Sequence, residues 1–287
     1  MSVKFALFSA LGLFGAGFIF VWIKDLFKGA GSPRSKMPSL SETAIGFVTN
    51  FFDTLGIGSY ATTTALFKLA RIVPDENIPG TLNVGHTVPT FLEALIFIAI
   101  VSVGDATLVL MIASAVIGAW MGSGVVAALP RRKIQLGMGL ALFIAAGIFL
   151  ASNLGLFPAG GTAEGLSGAR LFLAVFGNFI LGALMTLGIG LYAPCMILVS
   201  LLGMNPKAAF PIMMGSCAFL MPVAAARFIK ERKYSARPAL GLTLGGAPAI
   251  LIAAYLVKSL PLTTLRWLVI LVVCYTAVAM LRSAAKS

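Results

Sequence analysis

Apolar stretches of about twenty residues recur along this chain, near 5–23, 81–103, 106–128, 134–151, 211–226, 239–257 and 265–282. As a helix, a run of that length matches the ~30 Å hydrocarbon core of a bilayer. The ten-residue alternating segments of a membrane barrel are not what recurs. The pattern predicts an all-α integral membrane protein. Composition agrees: 59% of the 287 residues are hydrophobic and 10% charged, against about 25% charged in soluble domains. So little charge cannot cover a water-facing surface, and so apolar a chain does not stay disordered. A soluble enzyme is excluded, and pores, carriers and membrane-embedded enzymes remain.

The net charge of +12 would suggest nucleic acid in a soluble protein. In a membrane chain the excess Lys and Arg collect in cytoplasmic loops, so the expected partner is the lipid bilayer and not nucleic acid. Cys195, Cys217 and Cys274 all lie in apolar runs, the chain has one His, and no CxxC or Cys/His spacing occurs. No metal site and no cofactor are expected. The first apolar run has Lys4 before it and Lys24, Lys28, Arg34 and Lys36 after it, the reverse of a signal peptide. Residues 1–40 therefore read as an extra N-terminal transmembrane helix and a cytoplasmic loop.

An internal duplication organises the rest. Residues 54–61 read TLGIGSYA and residues 186–193 read TLGIGLYA, identical at all but one position. The offset that carries Thr54 onto Thr186 also carries Pro74 onto Pro206 and Pro79 onto Pro211, and the Leu129-Pro130 pair recurs, after a small gap, as Leu260-Pro261. The expected plan is repeat 1 over 41–151, an extracytoplasmic linker over 152–169, and repeat 2 over 170–287.

Two elements, 41–73 and 170–203, are broken centrally by Gly-Ile-Gly. They are too long for one span and short for two. If each is a re-entrant hairpin, sixteen of the 21 Lys and Arg fall inside: those of loop 24–40, Lys68, Arg71, Arg131 to Lys133, the basic residues of 227–237, Arg282 and Lys286. Only Lys4, Arg170, Lys207, Lys258 and Arg266 fall outside. Single crossings would put Arg131 to Lys133 outside, which the positive-inside rule rejects. A hairpin plus three transmembrane helices crosses an odd number of times, so the two repeats are expected with inverted topology. Inverted repeats with broken helices are a plan of secondary transporters, with the substrate near the midplane.

Each hairpin arm of about 15 residues spans about 22 Å, so the tips Gly56/Gly58 and Gly188/Gly190 would end inside the membrane. A new helix begins after each, through Ser59, Tyr60, Thr62 and Thr63 in one, and Tyr192, Pro194 and Cys195 in the other. Helix N-termini offer unpaired N–H groups and partial positive charge. Two of them face to face, with hydroxyls, would suit a small oxyanion. The alternative is that the glycines serve helix packing.

These duplicated Gly-rich hairpins, the Pro that follows each, and the stretch GAWMGSGVVAALPRRKIQLGMGLALFIAAGIFL resemble the TauE/SafE permease family, also called TSUP, over about 41–282. The resemblance implies a permease of the inner (cytoplasmic) cell membrane that moves sulfite, thiosulfate or an organosulfonate, with the two glycine tips as substrate-facing turns. Family tips commonly read GxGGG, whereas this chain has GIGSY and GIGLY, with a tyrosine in place of a glycine in each.

Among the acids only Asp53 and Glu93 fall deep in apolar segments, where ionisable groups are functional candidates by default. His86 lies seven residues before Glu93 on one helical face. As the chain's one imidazole it is the first choice to carry a proton, with Glu93 and Asp53 as further proton-coupling candidates. Asn83, Ser216 and Cys217 join the expected lining, although each also suits plain packing. The reading is a secondary transporter, an exporter of a small sulfur-containing anion working by alternating access. An anion channel is its rival. The chain lacks HExxH, a Ser/His/Asp set and a nucleotide loop, so no enzyme is expected. A structural subunit and a homo-oligomer stay open.

Overall fold

A computed structural model describes residues 3–28, 37–157, 160–256 and 262–286. Arg34, Lys36, Lys258 and the Leu260-Pro261 pair lie outside these. The described residues form twelve α-helices, and two 3-10 turns precede α4 and α10. The helices are α1 (Val3–Lys28), α2 (Leu40–Thr54), α3 (Ser59–Ala70), α4 (Ile78–Gly85), α5 (Thr87–Ile100), α6 (Asp105–Ala128), α7 (Arg131–Asn153), α8 (Gly168–Met185), α9 (Tyr192–Leu201), α10 (Ala209–Lys230), α11 (Ala236–Leu256) and α12 (Leu262–Lys286). Seven apolar helical stretches are long enough to cross a bilayer, and the bent pair α4–α5 makes an eighth. The chain is a multi-pass helical membrane protein.

The start of α2 follows local chemistry. Ser39 caps the helix and Glu42 bonds back to the Ser39 N–H at 2.5 Å, a capping box. Glu42 Oε2 also accepts from Arg237 Nε at 2.9 Å, tying α2 to α11. Glycine seams set the closest helix contacts. A Cβ on Gly245 would lie 2.0 Å from the Thr43 carbonyl oxygen, so α11 meets α2 backbone to backbone. A Cβ on Gly118 would lie 2.0 Å from the Phe179 oxygen, and α6 meets α8 in the same way. Small residues permit such approach where no water drives helices together.

α10 is the centre of the molecule, in contact with α1, α4, α5, α6 and α9, and α7 packs along α12. α3 packs against α2 beyond the turn at 55–58, and α9 against α8 beyond the turn at 186–191. Tyr234 donates to Asp25 and so fastens the end of α1. Burial and the adjacent carboxylate push the Tyr234 phenol above its usual pKa.

Two boundaries differ from the sequence reading. The run 81–103 is not one straight span: α4 and α5 meet at His86 with a 40° bend. Pro89 has no N–H to give the Gly85 carbonyl four residues back, and its ring crowds that oxygen. The Thr243 hydroxyl of α11 donates to it instead, at 2.7 Å. The first arm of the second hairpin, α8, has 18 residues where about 15 were expected, and its partner α9 has 10.

Candidate functional site

The two Gly-Ile-Gly turns meet. Between them lies a cavity of about 10 Å³ lined by Asp53, Gly58, Ser59, Tyr60, Thr90, Met185, Gly190, Leu191, Tyr192 and Cys217. Eight of these form four pairs related by the duplication offset: Asp53 with Met185, Gly58 with Gly190, Ser59 with Leu191, and Tyr60 with Tyr192. A second cavity of about 30 Å³ shares Gly58, Tyr60, Gly190 and Tyr192 and reaches Ile144, Ile148 and Phe149 of α7. A water needs about 10–15 Å³ of such space, so the first cavity holds one water at most.

Backbone conformation makes the turns. Gly56 and Gly58 have φ of 88° and 87°, and Gly188 has 106°, a region open to glycine but costly to other residues. Gly190 is not left-handed, and a Cβ there would sit 3.9 Å from the Tyr60 Cβ, an ordinary contact. Backbone conformation thus requires glycine at Gly58 and not at Gly190.

Glu93 links the hairpins. Its Oε2 accepts from the Tyr192 hydroxyl at 2.5 Å, and its Oε1 lies 2.9 Å from the Thr54 Oγ1. One partner therefore comes from α9 and the other from α2. The Ser59 hydroxyl and backbone N–H, at the start of α3, lie beside Asp53. Tyr60, the partner of Tyr192 in the duplication, is 3% exposed, and its hydroxyl has no hydrogen bond among the described residues. The reason is visible in the sequence: the duplication offset carries Glu93 onto Ala225, so Tyr60 finds no carboxylate.

His86 sits beside this cavity without lining it. The Asn50 Nδ2 donates to the Gly46 carbonyl at 2.7 Å, which leaves Oδ1 to accept from His86 Nδ1 at 2.9 Å. His86 Nε2 meets the Thr63 hydroxyl at 3.1 Å. Both ring nitrogens are engaged, and the imidazole lies near the Tyr60 ring at 5.8 Å. Other expected lining residues are also elsewhere. Thr62 donates back to the Ser59 carbonyl at 2.9 Å, and Asn83 to the Pro79 carbonyl at 2.8 Å. Ser216 accepts from Asn178 at 2.9 Å, and Cys195 is buried in α9. A Cβ on Gly56 would face Phe210, and one on Gly188 would face Met138 and Leu82. Cys217 does line the cavity, with its sulfur 3.4 Å from that of Met185.

Three lining residues escaped sequence reasoning. Met185 and Leu191 carried a usable signal, the duplication offset from Asp53 and Ser59. Thr90 carried a weaker one, its place between His86 and Glu93 on one helical face. The cavity is lined by hydroxyls, one carboxylate and helix starts but no Lys or Arg, with Glu93 bonded to Tyr192 beside it, so it can hydrogen-bond an anion without pairing it with a side-chain cation. Among the described residues no group of three His, Cys, Asp or Glu is placed to hold a metal ion. No family model, curated protein or solved structure matches the chain.

Proposed function

We propose that this protein is a secondary transporter of the cytoplasmic membrane that exports a small sulfur-containing anion by alternating access of two inverted repeats. The observation that carries this is the meeting of the two duplicated turns at one small cavity, with Glu93 bonded to a hydroxyl of each hairpin. Reciprocal packing supports the inverted plan: α2 lies on α11 as α8 lies on α6, and the equivalent pair α7 and α12 pack on each other. The cavity is too small for any oxyanion, so the tips must part for substrate to reach it, as alternating access requires.

Electrostatics supports a substrate of one negative charge, or a dianion carried with a proton. Two helix starts supply roughly half a unit of charge each, and Asp53 lies beside one of them. The hydroxyl of Thr54 has one proton but two acceptors beside it, the Asn50 carbonyl at 3.0 Å and Glu93 Oε1 at 2.9 Å. Both contacts are hydrogen bonds together when Glu93 holds a proton on Oε1 and donates it to Thr54. Glu93 is then the proton carrier, and the unpartnered Tyr60 hydroxyl is the donor offered to substrate.

A ligand stabilises the state it binds by mass action. Detergent-purified protein should therefore gain thermal stability with one or more of sulfite, thiosulfate, sulfate, sulfoacetate and taurine. Tyr60→Phe should lose most of that gain while its own ligand-free Tm stays close to wild type. A flat response across the whole panel removes this substrate class.

A further inference from the structure

A cleft of about 650 Å³ opens where the end of α3 meets the start of α7 and the last turns of α12, and Lys68, Arg71, Asp75, Arg131 and Ser283 line it. Its one carboxylate is already committed. Asp75 Oδ2 is 2.5 Å from Lys68 Nζ and accepts from Gln135 Nε2 at 2.7 Å. Lys68 also donates to Ser283 Oγ at 3.2 Å. The Arg131 guanidinium is 3.8 Å from Asp75, 3.5 Å from Glu76 and 58% exposed. Arg71 pairs with no acid among the described residues.

Arg71 is held with φ of 53°, a left-handed conformation that costs a non-glycine residue energy. Its counterpart in the duplication is Gly203, with φ of 88°. The same turn is thus made by glycine in the second half and by arginine in the first, against backbone preference. Strain retained in this way points to the side chain.

The geometry points to a binding site for the phosphate of an anionic phospholipid headgroup, held by Arg71 and Arg131. Size favours a headgroup over a free ion. A phosphate-sized ion displaces about three waters, roughly 90 Å³ at ~30 Å³ each, a small part of this cleft. Position favours it too, since Arg131 begins a bilayer-length helix and so marks a membrane–water boundary. Leu69 and Tyr275 on the cleft's wall are 45% and 63% exposed, an apolar flank along which an acyl chain can lie. Basic pockets between spans recognise acidic headgroups in this way.

The test is native mass spectrometry of the full chain released from nanodiscs of equal phosphatidylcholine and phosphatidylglycerol. Wild type should retain phosphatidylglycerol preferentially, and Arg71→Gly and Arg131→Gln should each cut the preference roughly fivefold. Arg232→Gly is the matched control: Arg232 also has a positive φ, 54°, and lies outside the cleft, so it should change nothing. Folding is not at risk in Arg71→Gly, which relieves strain. An unchanged preference in Arg71→Gly, or an equal loss in Arg232→Gly, overturns the site. Displacement of bound phosphatidylglycerol by millimolar inorganic phosphate overturns the lipid in favour of a free oxyanion.

Discussion

Glu93 has a hydroxyl from each hairpin beside it, so its replacement separates shape from proton. We predict that Glu93→Gln keeps the ligand-induced thermal shift but makes proteoliposome flux insensitive to an imposed pH gradient. A mutant that follows the gradient as wild type does would move coupling to Asp53, His86 or the anion's own protonation. Tyr192→Phe removes an interhelical bond between buried groups and should lower unfolding stability by about 1–2 kcal/mol, read from denaturant midpoints. His86 is a different case. The sequence made it the first choice for a proton, yet Asn50 and Thr63 occupy both its nitrogens. Thus His86→Gln should cost about 1–3 kcal/mol through the groups left unpaired and leave the gradient response in place.

At the scale of elements, the two turns share a sequence but not a backbone. Gly58 needs its positive φ and Gly190 does not. Gly58→Ala should therefore destabilise the protein by about 1–2 kcal/mol, even though a Cβ there meets nothing within 4 Å. Gly190→Ala should leave stability within error and weaken the ligand shift, because its methyl enters the cavity between the tips. Equal stability losses in the two variants would show that packing, not backbone conformation, distinguishes them. The α4–α5 bend rests on Pro89 and on the Thr243 hydroxyl that replaces the missing N–H. Thr243→Val removes that donor and leaves the Gly85 carbonyl unpaired, at a cost of about 1–3 kcal/mol.

At the scale of the whole molecule, the charge distribution predicts which ends face the cytoplasm. Single cysteines at Arg132, Ser235 and Gly160, in a cysteine-free background, should react with an impermeant maleimide in intact cells only at Gly160. Labelling at Arg132 with Ser235 and Gly160 silent would falsify the inverted arrangement, and labelling at both Arg132 and Ser235 with Gly160 silent would reverse the orientation. The helical, bilayer-spanning character was legible in the sequence, as were the breaks at Gly56 to Gly58 and Gly188 to Gly190. Hydrophobic length and turn chemistry belong to consecutive residues, so a local window contains them. Duplication reached further, since its offset alone pairs Asp53 with Met185, Gly58 with Gly190, Ser59 with Leu191, and Tyr60 with Tyr192 across the cavity. What only the tertiary structure decided is which polar groups satisfy one another. Thr54 and Glu93 are 39 residues apart, and Glu93 and Tyr192 are 99. Whether they meet depends on the rotation of α5 about its axis, which is set by packing against α10 and α11. No run of neighbouring residues encodes that, which is why the sequence could name Glu93 and His86 as candidates but could not tell the residue that bridges the two hairpins from the one held within the first.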